Sequence, residues 1–147
     1  MPVDTPPVTE MCNCFAIRSA ARHVTKLYDQ LLAPSGLRTT QYAILARLKR
    51  RGPVLIHTLA SDMVMDRTTL GRNILPLERD GLIKIETAPQ DRRGKAIHLT
   101  GAGEKRLHSA RRCWAKAQAR FESDLGLDRA AALRALLRSV VAMDFGP

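Results

Sequence analysis

The hydrophobic period of this 147-residue chain changes twice. Cys14, Ile17, Ala21, Val24, Tyr28 and Leu31 recur at spacings of three and four, which lays one apolar stripe along an α-helix. Between Ile83 and Leu99 the period falls to two. Ile83 and Ile85 alternate with Lys84 and Glu86, and Ile97 and Leu99 flank His98, as expected of two strands joined by Ala88 to Gly94. Beyond Thr100 the helical period returns in Leu107, Ala110, Trp114, Ala117 and Phe121. A segment patterned for one period does not settle in the other. The chain is therefore mainly α with a small two-stranded β-wing set into it.

Local signals divide the helices. Pro34, Ser35 and Gly36 stop the first. Tyr42, Leu45, Ala46 and Leu48 predict a second, ending near Arg51-Gly52-Pro53. Ile56, Leu59, Ala60 and Met63 predict a short third. Asp66 is placed to cap a fourth by accepting from the amide of Thr68 or Thr69, and Gly81 to end it after Arg79. Pro76 lies inside that helix and removes a backbone donor, which predicts a kink or loosened turn near Arg72. Thr100 caps a fifth helix, and Leu133, Leu136, Leu137 and Val140 form a last one after Gly126.

A short helix, a tight turn, a second helix and a hairpin make a winged helix-turn-helix, expected over residues 37–100. Residues 11–36 and 101–147 are then the helical dimerisation region. Their stripes have little else in so short a chain to bury against, and pairing across a two-fold axis would cover them. Residues 1–10, with Pro2, Pro6 and Pro7, read as a flexible arm. They lack the basic start and apolar stretch of a signal peptide, and no apolar run reaches membrane-spanning length. A cytoplasmic protein is expected.

The net charge of +10 favours a polyanionic partner. Its distribution does not by itself indicate sequence reading. Residues 61–100 hold 7 Lys/Arg against 6 Asp/Glu, whereas residues 1–60 hold 8 against 3 and residues 101–147 hold 9 against 5. On charge alone, a non-specific architectural DNA-binding protein remains the alternative to a sequence-specific one.

The fourth helix gives the sharper reading. Leu70, Ile74 and Leu77 fall on one face and must pack inward, while Thr68, Thr69 and Arg72 project away. Arg67 and Thr68 stand in its first turn, the part of a recognition helix that reaches base edges in the major groove. Arg bonds guanine bidentately, and Thr offers a hydroxyl to a base or a methyl to thymine. Asn73, on the flank, can reach a base or a phosphate. At the hairpin tip, Asp91 stands two residues before Arg93, with Arg92 between them. A braced Arg on a narrow loop suits the minor groove, where the potential is most negative. The plain alternative for both sets is a solvated surface.

No nucleophile–base pair, Gly-x-Ser-x-Gly run, His-Glu-x-x-His run or glycine-rich phosphate loop occurs, so no enzyme and no cofactor is expected. The cysteines, Cys12, Cys14 and Cys113, are odd in number and too few for a disulfide framework. Cys12 and Cys14 with four scattered histidines lack paired metal-ligand spacing, so no metal site is expected. Cys14 lies on the apolar stripe, where a free Cys usually acts as a small hydrophobe.

Several runs together resemble one family: Leu59-Ala60, Met65 to Leu70, Leu77 to Ile83, Asp91-Arg92-Arg93, and Leu99-Thr100 followed by Gly103, with Tyr28-Asp29, Gly36-Leu37 and Gln41 upstream. Over roughly residues 12–143 the chain resembles the MarR (multiple antibiotic resistance regulator) family. The resemblance implies a winged helix-turn-helix homodimer, dimerised by its first and last helices. It implies a transcriptional regulator, usually a repressor, on double-stranded DNA with a pseudo-palindromic operator. Release by a small, often phenolic effector or by an oxidant is implied too. By motif match, Arg67, Thr68, Thr69 and Arg72 would read the major groove, and Asp91 and Arg93, beside Arg92, would form the wing pair. The family often carries Thr where Arg38 stands, so the cap of the second helix is expected either to shift to Thr39 or to be weaker. Cys14-Phe15-Ala16 with Lys26-Leu27-Tyr28 is similar to the organic-hydroperoxide-sensing branch. There Cys14 would be the oxidisable thiol and Tyr28 a brace, with Arg18 in place of a second tyrosine. Cys113 would be a resolving partner if a dimer brings it near.

Overall fold

The computed structural model describes residues 11–88 and 91–147, without the side chains of residues 91–93. The expected arm, residues 1–10, lies outside the described residues. Six α-helices and three strands follow in the order α1 (Asn13–Leu32), α2 (Thr39–Arg51), β1 (Val54–Leu55), α3 (Ile56–Asp62), α4 (Arg67–Arg79), β2 (Ile83–Ala88), β3 (Asp91–Leu99), α5 (Gly101–Leu125) and α6 (Leu127–Val141). A 3-10 turn, Ala33–Ser35, closes α1, and Gly36 leaves it at φ 77°, where a side chain would strain the backbone.

The expected two-stranded wing is part of a three-stranded antiparallel sheet ordered β1-β3-β2. The added strand pairs Val54 with Ile97 and Leu55 with Ala96. Two residues are too few for alternation to register in the sequence, and what makes them a strand is the partner they meet. In the hairpin, Ile83 faces Leu99 and Ile85 faces Ile97, so the apolar set points to the core and Lys84, Glu86 and His98 point out.

One core joins the elements. Leu32, Ile44, Leu45, Leu48, Leu59, Leu70, Leu77 and Ile97 are fully buried. They come from α1, α2, α3, α4 and β3, so the helix-turn-helix and the long helices share one hydrophobic cluster. Leu107, Ala110 and Ala117 of the α5 stripe are buried as expected, while Trp114 is 36% exposed and stacks on Tyr42 at a centroid distance of 6.0 Å.

The start of α2 differs from expectation. Thr39 is its first helical residue, not its cap. The Gln41 side chain reaches back to accept from the Arg38 amide at 3.0 Å, and Asp29 Oδ1 accepts from the Thr39 amide at 2.8 Å. The Gln41 and Asp29 side chains thus satisfy the amides of the N-cap and of the first helical residue, which no cap side chain of α2 would reach.

The apolar stripe of α1 is buried only in its second half. Cys14, Ile17 and Ala21 are exposed, whereas Val24, Tyr28 and Leu31 are half-buried. On α6, Leu133, Leu136, Leu137 and Val140 are all exposed, and Ala130 is the buried residue. The core of one chain therefore leaves these two faces uncovered.

Candidate nucleic-acid interface

The helix-turn-helix, which is the candidate reader of DNA, begins with α3, whose Leu59 and Ala60 are buried in the core. The turn after it is tight. Met63 donates to the Leu59 carbonyl at 2.9 Å, Val64 to Ser61 at 3.1 Å and Met65 to Ala60 at 2.9 Å. Val64 takes φ 54°, the left-handed region that a β-branched residue rarely enters. Chain geometry, not residue preference, sets that turn.

Asp66 then caps α4 as its spacing predicts: Oδ1 accepts from the Thr69 amide at 2.7 Å. Hydrogen bonds from the Thr69 amide and hydroxyl hold its carboxyl below the usual carboxylate range. The Thr68 amide and the nearby Arg72 charge add to this, against a small opposing desolvation. Leu70, Ile74 and Leu77 are buried, so the opposite face of α4 is turned out. Arg67, Thr68, Thr69 and Arg72 are all exposed on it. Asn73 is half-buried and donates to the Thr69 carbonyl at 2.8 Å, which ties it to its own helix. Pro76 lies within α4, which runs unbroken from Arg67 to Arg79.

The hairpin stands beside α4. β3 starts at Asp91 and β2 ends at Ala88, with a register irregularity between Thr87 and Ala88. The side chains of Asp91, Arg92 and Arg93 lie outside the described residues, so the expected Asp91–Arg93 brace does too. On the outer face, Lys84 and Glu86 pair at 2.6 Å, and His98 stands 3.5 Å from Glu86.

Two residues that sequence patterning missed converge on the same edge. A cleft of about 200 Å³ between α3, α4 and β3 is lined by Ile56, His57, Arg67, Gly94 and Lys95. Pairing of Leu55 with Ala96 brings His57 and Lys95 beside Arg67. The result is a cationic rim that runs from the first turn of α4 across to the wing. A second groove, about 440 Å³, lies between α4 and the hairpin over Ile56, Ile74, Leu75 and Ile85.

The long helices place the cysteines apart. Tyr28 Oη on α1 donates to Gln118 Oε1 on α5, and Val24 lies beside Phe121, so the two helices run antiparallel. Cys113 therefore lies level with the end of α1, and Cys14 with its start, about 27 Å away at 1.5 Å per residue. A disulfide needs Cα atoms within about 7 Å, so Cys14 and Cys113 of one chain do not pair. Cys12 and Cys14 are exposed, and Cys12 Sγ accepts from the Phe15 amide as the cap of α1. Cys113 packs against the core. Among the described residues no group of three His, Cys, Asp or Glu is placed to hold a metal, and no helix is long and apolar enough to cross a membrane.

The MarR family profile matches residues 37–95, the stretch from α2 to the wing. The chain is 32% identical to the M. tuberculosis transcriptional regulator MosR, solved in complex with DNA, with a TM-score of 0.74 over 90% of this chain and 99% of that one. The chain belongs to the MarR family. In Bacillus subtilis, the HTH-type transcriptional regulator YwoH is 30% identical over 90 residues, and an organic hydroperoxide resistance transcriptional regulator is 28% identical over 90 residues. The match spans 65% and 61% of those two relatives. The similarity to MosR reaches beyond the matched profile into the long helices, where MarR-type architecture is therefore shared as well.

Proposed function

We propose that this MarR-family chain is a homodimeric, sequence-specific regulator of transcription that inserts α4 into the major groove of a pseudo-palindromic operator. The observation that carries this reading is the outer face of α4. Arg67, Thr68, Thr69 and Arg72 are exposed there at a capped helix start, with His57 and Lys95 beside them and a wing next to them. Arg and Thr supply base contacts. The neighbouring cations supply phosphate contacts. Asn73 contributes to the flank of this surface, and Asp91, Arg92 and Arg93 carry the wing into the adjacent minor groove. A solved DNA complex of MosR supports the reading.

Homodimerisation follows from the uncovered faces of α1 and α6, which present Phe15, Ile17, Leu133, Leu136 and Val140 to solvent in one chain. Closing them across a two-fold axis makes residues 11–36 and 101–147 the dimerisation region and residues 37–100 the DNA-binding domain. The dimer acts as a repressor in the cytoplasm.

Release from DNA follows from one of two signals. A small aromatic or phenolic effector fits the groove of about 500 Å³ between α1 and α5, where His23, Lys26 and Arg120 surround Val24, Leu27 and Phe121. An adjoining hollow of about 170 Å³ reaches Tyr28 and Thr39. Thr39 Oγ1 is buried there without a hydrogen-bond partner, and burial raises the Tyr28 phenol above its ordinary value, with Glu122 adding and Arg134 opposing. An oxidant would act instead on the exposed Cys14, with Cys113 of the second protomer as its partner.

The test is competition at fixed salt between a duplex carrying the inverted repeat and random duplex. Sequence-specific regulation predicts a preference of at least about 10³-fold. Equal affinity would favour the architectural alternative, which the diffuse +10 charge supports. Peroxide release from the wild type but not from Cys14→Ser would select the oxidant.

A further inference from the structure

The densest unclaimed charge lies behind the reader, on α5. Between Glu104 and Glu122 there is no acidic residue, and Lys105, Arg106, Arg111, Arg112, Lys116 and Arg120 fall in that interval. A soluble surface ordinarily intersperses the two signs. At 100° per residue, Lys105, Arg112 and Lys116 lie within about 40° of one another, opposite the buried Leu107, Ala110 and Ala117. All three are exposed, and none joins an ion pair among the described residues. They extend over about 16 Å of helix, facing a partner that, if it is duplex, carries a charge every 1.7 Å or so. Exposed His108 and Arg111 widen the face towards α2.

Its position separates it from the reader. Thr100, the cap of α5, donates its hydroxyl to the Gly81 carbonyl at 2.7 Å, so α5 starts at the tail of α4. It also starts at the base of the wing, where Ile83 faces Leu99. The first turn of α4 and the hairpin tip are both at the other end, about 20 Å away for a helix of this length. A straight operator against α4 does not reach the outer side of α5.

We propose that this α5 face is a second, sequence-independent contact for duplex DNA, which holds another segment through its phosphates while α4 holds the operator. It rests on α4 as reader only for the meaning of "second". Charge complementarity selects the partner: cations without carboxylates or an apolar floor at the pole of the helix match a phosphate backbone and not a folded protein surface.

The experiment uses full-length protein and the triple variant Lys105→Gln, Arg112→Gln and Lys116→Gln. The substitutions lie on the pole of α5 opposite its buried residues; circular dichroism checks the fold, and sedimentation checks that the variant keeps the wild-type mass, since these residues fall within the proposed dimerisation region. In the first arm, immobilised operator is saturated with protein, washed, and offered labelled duplex of unrelated sequence. Wild type is expected to capture it, and the variant to lose capture while keeping operator affinity within about twofold, because α4 is untouched. In the second arm, binding to unrelated duplex is followed against salt without any operator. The slope of log K against log salt is expected to fall by nearly three, at about 0.9 per phosphate. This arm reads the α5 face even if α4 has no operator preference. Equal capture and an unchanged slope in the variant would overturn the proposal. So would displacement of the second duplex by RNA hairpin or polyglutamate at lower concentration than by unlabelled duplex.

Discussion

Replacing Gly103 by Ala tests how α5 is joined to the reader. Gly103 lies in the first turn of α5, buried beneath the Thr100 cap. A Cβ there would stand 2.0 Å from the Leu82 carbonyl oxygen and 2.8 Å from Leu99 Cδ1. Both neighbours belong to the base of the wing, and the nearer one is backbone. Ordinary contact begins at 3.4 Å, so the helix must retreat from the sheet. Retreat pulls on two hydrogen bonds, Thr100 amide to Leu82 carbonyl at 3.2 Å and Thr100 hydroxyl to Gly81 carbonyl at 2.7 Å. Overpacking of this kind costs about 1–3 kcal/mol and each strained bond up to about 1 kcal/mol. Helix propensity opposes this by less than about 1 kcal/mol. The net loss is about 2–4 kcal/mol, which at about 2–4 °C per kcal/mol lowers Tm by roughly 4–16 °C.

Gly101 is the control, because it lies two residues earlier in the same helix and a Cβ there meets nothing within 4 Å. Gly101→Ala should raise Tm by about 1–3 °C through propensity alone. Both variants are melted at one protein concentration, since the Tm of a self-associating chain depends on it. A rise or no change for Gly103→Ala, with native circular dichroism, would refute the close-approach reasoning.

Three further outcomes are expected. Val64→Gly relieves a left-handed β-branched residue worth about 1–2 kcal/mol against a glycine entropy cost of about 0.5–1 kcal/mol, so chemical denaturation should show a small gain in stability. The Asp66 carboxyl is held below its ordinary value of 3.8, so its contribution is present above that pH and lost as pH falls through the folded value. Asp66→Asn keeps the cap at neutral pH and should move the acid-unfolding midpoint to lower pH; an unchanged midpoint counts against the assignment. Arg67→Ala should weaken operator binding by about 1–3 kcal/mol and relax one base position. Lys95→Ala should instead reduce the salt slope by about one, with sedimentation checking that both variants keep the wild-type mass.

Local spacing made the helix caps and the inward face of α4 legible in advance. Asp66 and Thr100 cap helices because a short side chain at a helix entry can reach only the next few amides. Leu70, Ile74 and Leu77 turn inward because their spacing follows the helical period. What failed to register depended on distant partners. β1 is two residues long and exists through its pairing with β3, and that pairing also draws His57 and Lys95 to Arg67. The α2 start escaped for the same reason: Asp29, ten residues earlier, supplies an acceptor where a local cap was expected.

Sequence by itself determined the helices and the hairpin, the inward face of α4 and the residues turned out from it, since these follow from period and capping. Tertiary structure decided which faces stay uncovered and which charges stand together. It buried half of the α1 stripe and left the rest open, separated Cys14 from Cys113 along antiparallel helices, and set the cations of α5 behind the reader. The physical reason is that helical period records how residues share a face, whereas only packing between elements records what that face meets.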